Sequence, residues 1–163
     1  MTIKLDSIDR RILSILLKDA TTSKPDIARE VGIAASAIFE RIKKLEKAGV
    51  IRGYEARVDA AGLGYGILAY IFVAELKPTR SFDTGAALAK VTGVEEVHKI
   101  AGEDCFLLKL RTENAQTLAE ILDNEIDVIR TVASVRTTIV LKTILEQAIL
   151  SGVNLQPAAG SAP

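Results

Sequence analysis

The stretch from Val31 to Tyr54, with the segment just before it, constrains this chain most. Ser23-Lys24-Pro25-Asp26-Ile27-Ala28 opens a short helix. Val31-Gly32-Ile33 ends it in a turn, Ala34 to Ala48 reads as a second helix, and Gly49-Val50-Ile51-Arg52-Gly53-Tyr54 closes the unit. Two short helices joined by a tight glycine-containing turn make a helix-turn-helix. The second of them carries Arg41, Lys43, Lys44 and Lys47, the charge that a helix entering a DNA groove needs.

A preceding helix is expected from about Asp6 to Lys18. Ile8, Ile12, Ile15 and Leu16 recur at helical period, Asp6 is its expected N-cap, and Asp9 completes a capping box. Ser23 with Asp26 repeats that logic, and Pro25 is tolerated in the first turn because no intrahelical bond is lost there. Ile27, Ala28 and Val31 are expected inward. In the Ala34–Ala48 helix, Ile38, Ile42 and Leu45 form the buried stripe. The opposite face centres on Ser36, Glu40, Lys43 and Lys47. Ser36, Ala37, Phe39, Glu40 and Lys43 are the candidates for base edges. Ser23 and Lys24, at a helix N-terminus with free N–H groups, are candidates for phosphate. Arg41 lies at the stripe's edge, where a phosphate contact or a structural ion pair suits it. Ala35, Lys44 and Lys47 complete the candidate DNA-binding set. Charge runs on helices are usually solvated faces; the capped helix and turn before this one favour DNA.

The charge distribution agrees in sign. The chain of 163 residues has a formal net charge of zero, but residues 1–62 hold 12 Lys/Arg against 9 Asp/Glu, and the remainder 9 against 12. With 48% hydrophobic and 26% charged residues, the composition is that of a globular protein. The one cysteine, Cys105, excludes an intrachain disulfide and fits a reducing cytoplasm. The N-terminus has no apolar signal core, and no apolar run is long enough to span a bilayer.

After a link strand expected over Ile51–Val58 and the turn-rich Asp59–Gly64, the rhythm changes. Expected in order are a strand (Ile67–Glu75), a helix (Ser81–Val91, with Phe82, Ala86 and Ala89 inward), a strand (Val94–Ala101) and the tight turn Gly102-Glu103-Asp104. A strand over Phe106–Arg111, a helix over Ala115–Ile126 and a long final strand over Val132–Leu145 follow. The fold class is therefore α+β: an N-terminal winged-type helix-turn-helix followed by a ferredoxin-like βαββαβ domain. The expected bounds are residues 1–50, a link over 51–65, the second domain over 66–146 and a tail over 147–163. Gln156–Pro163 is low in complexity and expected to be disordered. A sheet with helices on one face leaves the other to be covered, most simply by a second copy of itself.

No Gly-rich phosphate loop, Ser-His-Asp set or paired-carboxylate site stands out, so no catalytic residue and no cofactor is expected. His98 and Cys105 lack the matched ligands a metal site needs and read as structural on that count. Two function classes remain at this level. One is a ligand-responsive DNA-binding regulator. The other is a metabolite-binding regulatory subunit or enzyme component with no DNA role, which leaves Ser36 to Lys47 unexplained.

Several fragments carry a family likeness in their joint order and spacing. They are Leu5-Asp6-x-x-Asp9-x-x-Ile12-Leu13, Leu45-Glu46-x-x-Gly49-Val50-Ile51-x-Gly53-Tyr54, Leu63-Gly64-Tyr65, Ile100-Ala101-Gly102-Glu103-Asp104 and Thr137-Thr138-Ile139-Val140-Leu141. Over roughly residues 4–146 the chain resembles the Lrp/AsnC, or feast/famine, transcriptional regulators. The resemblance implies dimers that assemble into octamers or similar discs. It also implies a small-molecule effector, often an amino acid, in a cleft lined by the Gly102 loop and the final strand. The candidate effector residues are His98, Ile100, Ala101, Gly102, Glu103, Asp104, Thr137 and Thr138. Within the turn, exposed N–H groups and two carboxylates suit the charged ends of an amino acid. Three positions depart from the family's usual pattern: Ala34 where a Ser cap is frequent, Thr21 where an Arg is common, and Cys105 where an Asp often stands. The missing cap costs roughly 1 kcal/mol locally.

Overall fold

The structure, a computed structural model, describes residues 4–76 and 83–146. They fall into two compact units. One runs to Arg57 and takes in Leu145 and Glu146; the other is Val58–Ile144.

The first unit is three helices: α1 (Ser7–Lys18), α2 (Lys24–Val31) and α3 (Ala35–Lys47). Each begins where its cap dictates. Asp6 accepts from the Asp9 N–H at 2.7 Å, and the Asp9 carboxylate accepts from the Asp6 N–H at 3.2 Å, a complete capping box. Ser23 caps α2 through the Asp26 N–H. Gly32, at φ 83°, ends α2 in the left-handed region, where a side chain costs most. Ala34 gives α3 no side-chain cap. Ile12, Ile15, Ile27, Ala28, Ile38 and Ile42 form the core, with Ile8, Leu16, Val31, Ile33 and Ile51 packed against it. Gly49, at φ 69°, turns the chain after α3, and the Val50 N–H returns to the Leu45 carbonyl at 3.0 Å.

The expected strand over Ile51–Val58 does not form. That segment is largely exposed and has no ladder partner among the described residues. An extended segment needs a neighbour to take its N–H and C=O groups, and the described residues of this unit supply none. Tyr54 instead donates its hydroxyl to Glu46 at 2.9 Å, and Arg57 donates to the Glu146 carbonyl.

The second unit is a four-stranded antiparallel sheet, order β2-β3-β1-β4. Its elements are β1 (Ile67–Glu75), α4 (Thr84–Leu88), β2 (Val94–Lys99), β3 (Phe106–Thr112), α5 (Ala115–Ile121) and β4 (Val132–Ile139). This is the βαββαβ order read from sequence. Ala69, Ile71, Val73, Phe106, Leu108 and Leu110 meet Leu88, Val91, Leu118, Ile121 and Ile126 in one core. Each fully buried Leu or Ile of that layer contributes about 1.5–3 kcal/mol.

Several boundaries differ from expectation. The helix placed at Ser81–Val91 is only Thr84–Leu88, capped by Asp83, and its buried residues are Thr84 and Leu88, with Val91 just beyond. Ala86 and Ala89 are exposed, and Phe82 lies outside the described residues. Buried Thr84 sets that phase: its hydroxyl meets Thr131 at 2.7 Å and donates to Glu75. The Ala115–Ile126 helix keeps its extent but widens to a π turn over Leu122–Ile126. The second strand stops at Lys99. The last stops at Ile139, not Leu145, because β1 begins at Ile67 and offers little beyond the Ala69–Ile139 pair; the Val140 N–H still reaches the Leu68 carbonyl at 2.8 Å. The tail lies outside the described residues.

Candidate DNA interface and effector loop

On α3, burial divides the helix as its period requires. Ile38, Ile42 and Leu45 are buried, while Ala35, Ser36, Phe39, Glu40, Lys43, Lys44 and Lys47 are exposed. Ala37 is half-buried. Phe39 remains 44% exposed between two cations, with Lys24 Nζ at 4.5 Å and Lys43 Nζ at 5.9 Å from its ring centroid. Lys24, at the start of α2, is thus brought onto the α3 surface as a cation–π partner. Ser23 has its hydroxyl engaged locally, 2.5 Å from the Asp26 carboxylate. That hydroxyl bond, with Arg29 nearby, holds the Asp26 carboxyl below its usual range.

Arg41 takes the structural of its two readings. Its guanidinium reaches Asp6 at 2.6 Å and Asp9 at 2.7 Å, tying α3 to the cap of α1. Asp9 is buried, so the pairing satisfies a charge that burial would otherwise penalise. The Asp9 N–H first, then Arg41, holds the Asp6 carboxyl below its usual range. The hydrogen bonds of the two carboxylates raise the Arg41 guanidinium in turn.

The second candidate site is the connection between β2 and β3. It is longer than the tight turn expected: Ile100 to Cys105, closed by the Ile100 N–H on the Cys105 carbonyl at 2.9 Å. Gly102, at φ 148°, is exposed and faces open space; only its backbone angle calls for glycine. Ala101 and Glu103 are exposed, Ile100 and Asp104 half-buried. The Cys105 N–H is anchored on the Val73 carbonyl at 2.9 Å, which seats the loop beside β1.

His98 is not part of that loop. It stands on β2 opposite Leu107, with its Nε2 2.9 Å from Glu96. That contact, before the influence of Lys109, lowers the Glu96 carboxyl. Thr137 and Thr138 point to opposite faces of β4, as neighbours on a strand must. Thr137 pairs Ile71 and is half-buried; Thr138 pairs Tyr70 and is exposed.

The residue missed in the sequence is Arg136. It pairs Phe72 across the sheet, lays its guanidinium 3.9 Å from that ring's centroid and reaches Asp104 at 2.8 Å. It belongs beside the loop because Val135 pairs Val73, the residue that anchors Cys105. Adjacency to Thr137 and Thr138 was the only signal in the sequence; strand pairing supplied the rest.

Among the described residues, no group of three or more His, Cys, Asp or Glu stands close enough to hold a metal ion. Nor is any helix among them long and apolar enough to cross a membrane.

A capped three-helix unit with a basic outer helix, followed by a one-sided βαββαβ sheet with an open loop, defines a DNA-binding transcriptional regulator with an appended ligand-binding domain. Comparison with known proteins agrees part by part. Residues 5–52 match a winged helix-turn-helix DNA-binding model, and residues 69–150 match the Lrp/AsnC ligand binding domain. The chain belongs to the Lrp/AsnC family of transcriptional regulators. It is 40% identical over 143 residues to the HTH-type transcriptional regulator FL11 of Pyrococcus abyssi, covering 88% of this chain and 93% of that one. The solved structure of Escherichia coli AsnC superposes with a TM-score of 0.81 at 28% identity, over 90% of this chain and 99% of that one. A feast or famine regulatory protein from Mycobacterium tuberculosis, complexed with L-methionine, superposes with a TM-score of 0.81 at 29% identity, over 88% and 96%. Its relatives are transcriptional regulators, not enzymes, and the reading as an enzyme component finds no support among them.

Proposed function

We propose that this regulator works as a homo-oligomer, grips operator DNA with the outer face of α3, and is tuned by an amino acid held at the Gly102 loop. The observation that carries the DNA part is the division of α3. Every apolar anchor is buried, while Ser36, Phe39, Glu40, Lys43 and Lys47 stand free of the core. Lysines on such a face offer phosphate contacts, and the smaller residues offer approach to base edges. Ala35, Ala37 and Lys44 flank that surface, and Lys24 and Ser23 extend it to the start of α2. Arg41 acts by holding α3 in place.

The amino-acid part draws support from the L-methionine complex of the mycobacterial relative. Gly102, Glu103 and Asp104, flanked by Ile100 and Ala101, are the residues proposed to meet the effector, with Thr138 on the same sheet face as Arg136. Thr137 faces the helices and His98 stands with Glu96, so both are more remote partners. Self-association draws support from the uncovered sheet face, where Tyr70 and Phe72 lie beside Leu107, and from the exposed Leu141, Ile144 and Leu145. A second copy covering such a face removes apolar area from water and gives the sheet a second layer. The proposed assembly is a dimer that builds to an octamer or similar ring, acting in the cytoplasm where its DNA lies.

A gel shift with the chain's own upstream DNA, repeated with each of the twenty amino acids, tests the reading. The expected result is a retarded band whose midpoint or stoichiometry moves with one or a few amino acids, by a coupling of about 1–3 kcal/mol. Failure to retard that DNA while retarding no fragment of a genomic library removes the DNA part. Light scattering that finds a folded monomer at micromolar concentration removes the oligomer.

A further inference from the structure

The connection between β2 and β3 carries a charge pair that ties it to β4. Asp104 and Arg136 meet at 2.8 Å, 32 residues apart in sequence, across the end of β1. Arg136 is held twice. One guanidinium nitrogen donates to Asp104 Oδ2, and its plane lies over Phe72 at 3.9 Å from the ring centroid. Asp104 is the more enclosed partner, its side chain 22% exposed against 60% for Arg136. A guanidinium has five N–H donors in a rigid fork, and one bond to Asp104 leaves most of the fork facing outward beside the loop. Gly102 and Ala101, exposed and carrying no bulk, leave the approach open.

A zwitterionic amino acid carries the same two charges that this pair carries, in complementary order. Its ammonium can take the place of the guanidinium at Asp104. Its carboxylate can then take the place of Asp104 at the guanidinium, as a two-pronged contact. Four charges end in two opposite-sign contacts, and no net charge is brought into the site. A ligand with only one of the two charges replaces the existing ion pair with a single new contact and leaves the other member to solvent, so it gains nothing, whereas a zwitterion ends with two contacts in place of one.

We propose that Arg136 is the carboxylate receptor of the effector site and Asp104 its ammonium receptor, so that the pair selects zwitterions by exchanging partners with them. The assignment rests on the amino-acid reading above and deepens it by naming a residue on β4 as a specificity determinant. Thr138 shares the face of Arg136 but lies two residues farther from the loop, about 7 Å along the strand. Thr137 faces the other way. Of these β4 neighbours, Arg136 is the one in contact with the loop. Within the Gly102–Cys105 stretch, Asp104 is the carboxylate with a guanidinium at 2.8 Å.

The test uses the full chain and calorimetric titration. The twenty amino acids are screened first. The strongest binder is then compared with its C-terminal amide, which lacks the carboxylate, and its N-acetyl derivative, which lacks the ammonium. For the parent protein, each blocked form should bind at least tenfold more weakly than the free amino acid. Arg136→Gln should weaken the free amino acid at least tenfold while binding the C-terminal amide no more weakly than the parent does, because the amide no longer has to displace the guanidinium from Asp104. A merely structural role would not produce that selectivity. Asp104→Asn should do the converse, weakening the free amino acid and sparing the N-acetyl form. Arg136→Lys, which keeps charge but loses the fork, should fall between parent and Arg136→Gln. Equal affinity of parent and Arg136→Gln for the free amino acid overturns the assignment while leaving the amino-acid reading standing. So does equal loss for the free and amide forms. If none of the twenty binds the parent, the amino-acid reading itself falls and this assignment falls with it.

Discussion

The two units of this protein are built by opposite strategies. In the helical unit, each element is announced by residues within it: Asp6 with Asp9, Ser23 with Asp26, Gly32 and Gly49 at the exits. In the sheet unit, what matters joins residues far apart in sequence: Phe72 with Arg136, Asp104 with Arg136, Thr84 with Thr131. Local signals place helices one at a time, whereas sheet register and loop seating exist only once strands have paired. The difference also divides the chemistry. The proposed DNA face is one side of α3 with the start of α2 beside it. The proposed effector loop takes its character from β1, β3 and β4 together.

Paired core truncations probe this contrast with the largest effect. Leu108→Ala and Ile38→Ala each empty a fully buried site, and each should cost about 2–5 kcal/mol in denaturant unfolding. Leu108→Ala is expected to take amino-acid binding with it and Ile38→Ala to take DNA affinity; either variant abolishing both activities equally would break the comparison. Gly93→Ala should come next. Gly93 sits at φ 75°, and a β-carbon there would lie 2.2 Å from the Arg111 carbonyl oxygen. A loss of about 1–3 kcal/mol by thermal or chemical denaturation is expected, confined to signals from the sheet unit.

At the DNA face, Lys43→Ala and Lys47→Ala should each flatten the salt dependence of operator binding by about one unit in log–log slope. Unchanged slope and affinity in both variants would move the interface off α3. Ala34→Ser should give α3 the cap it lacks and raise helical-unit stability by about 1 kcal/mol. The smallest effect is one of pH. The Asp6 carboxyl is lowered in the folded chain by the Asp9 N–H and by Arg41, so its stabilisation is present above the unfolded value of 3.8 and is lost as pH falls through the lowered folded value. Asp6→Asn keeps a good cap but no titrating group, so its acid unfolding curve should be shallower than the parent's. Asp6 is half exposed, and solvent screening keeps this difference small.

How far the sequence was legible follows the same division. The helical unit was read nearly to the residue, because a cap and a 3.6-residue stripe are complete within a dozen positions. Its one failure, the strand over Ile51–Val58, is informative. Alternating residues signal a willingness to pair, and a partner is a tertiary fact. In the sheet unit the order and type of elements were legible, but the phase of α4 was not. Small Ala86 and Ala89 looked buried, whereas Thr84 was drawn inward to meet Glu75 and Thr131. For the candidate sites, the face of α3 was readable from periodicity, and the Gly102 loop from its resemblance to a family. Arg136 was not readable from either.

The sequence by itself determined where the three N-terminal helices start and stop, which face of α3 stays outside, and that six elements in the order βαββαβ follow. Those are consequences of local hydrogen-bond satisfaction and of the period at which apolar residues recur. Tertiary structure alone decided the rest. It set Arg41 to hold Asp6 and Asp9, His98 to stand apart from the loop, Thr137 and Thr138 to opposite faces, and Arg136 beside Asp104. A charge's partner is fixed by distance through space, and distance through space is fixed by which strands lie side by side.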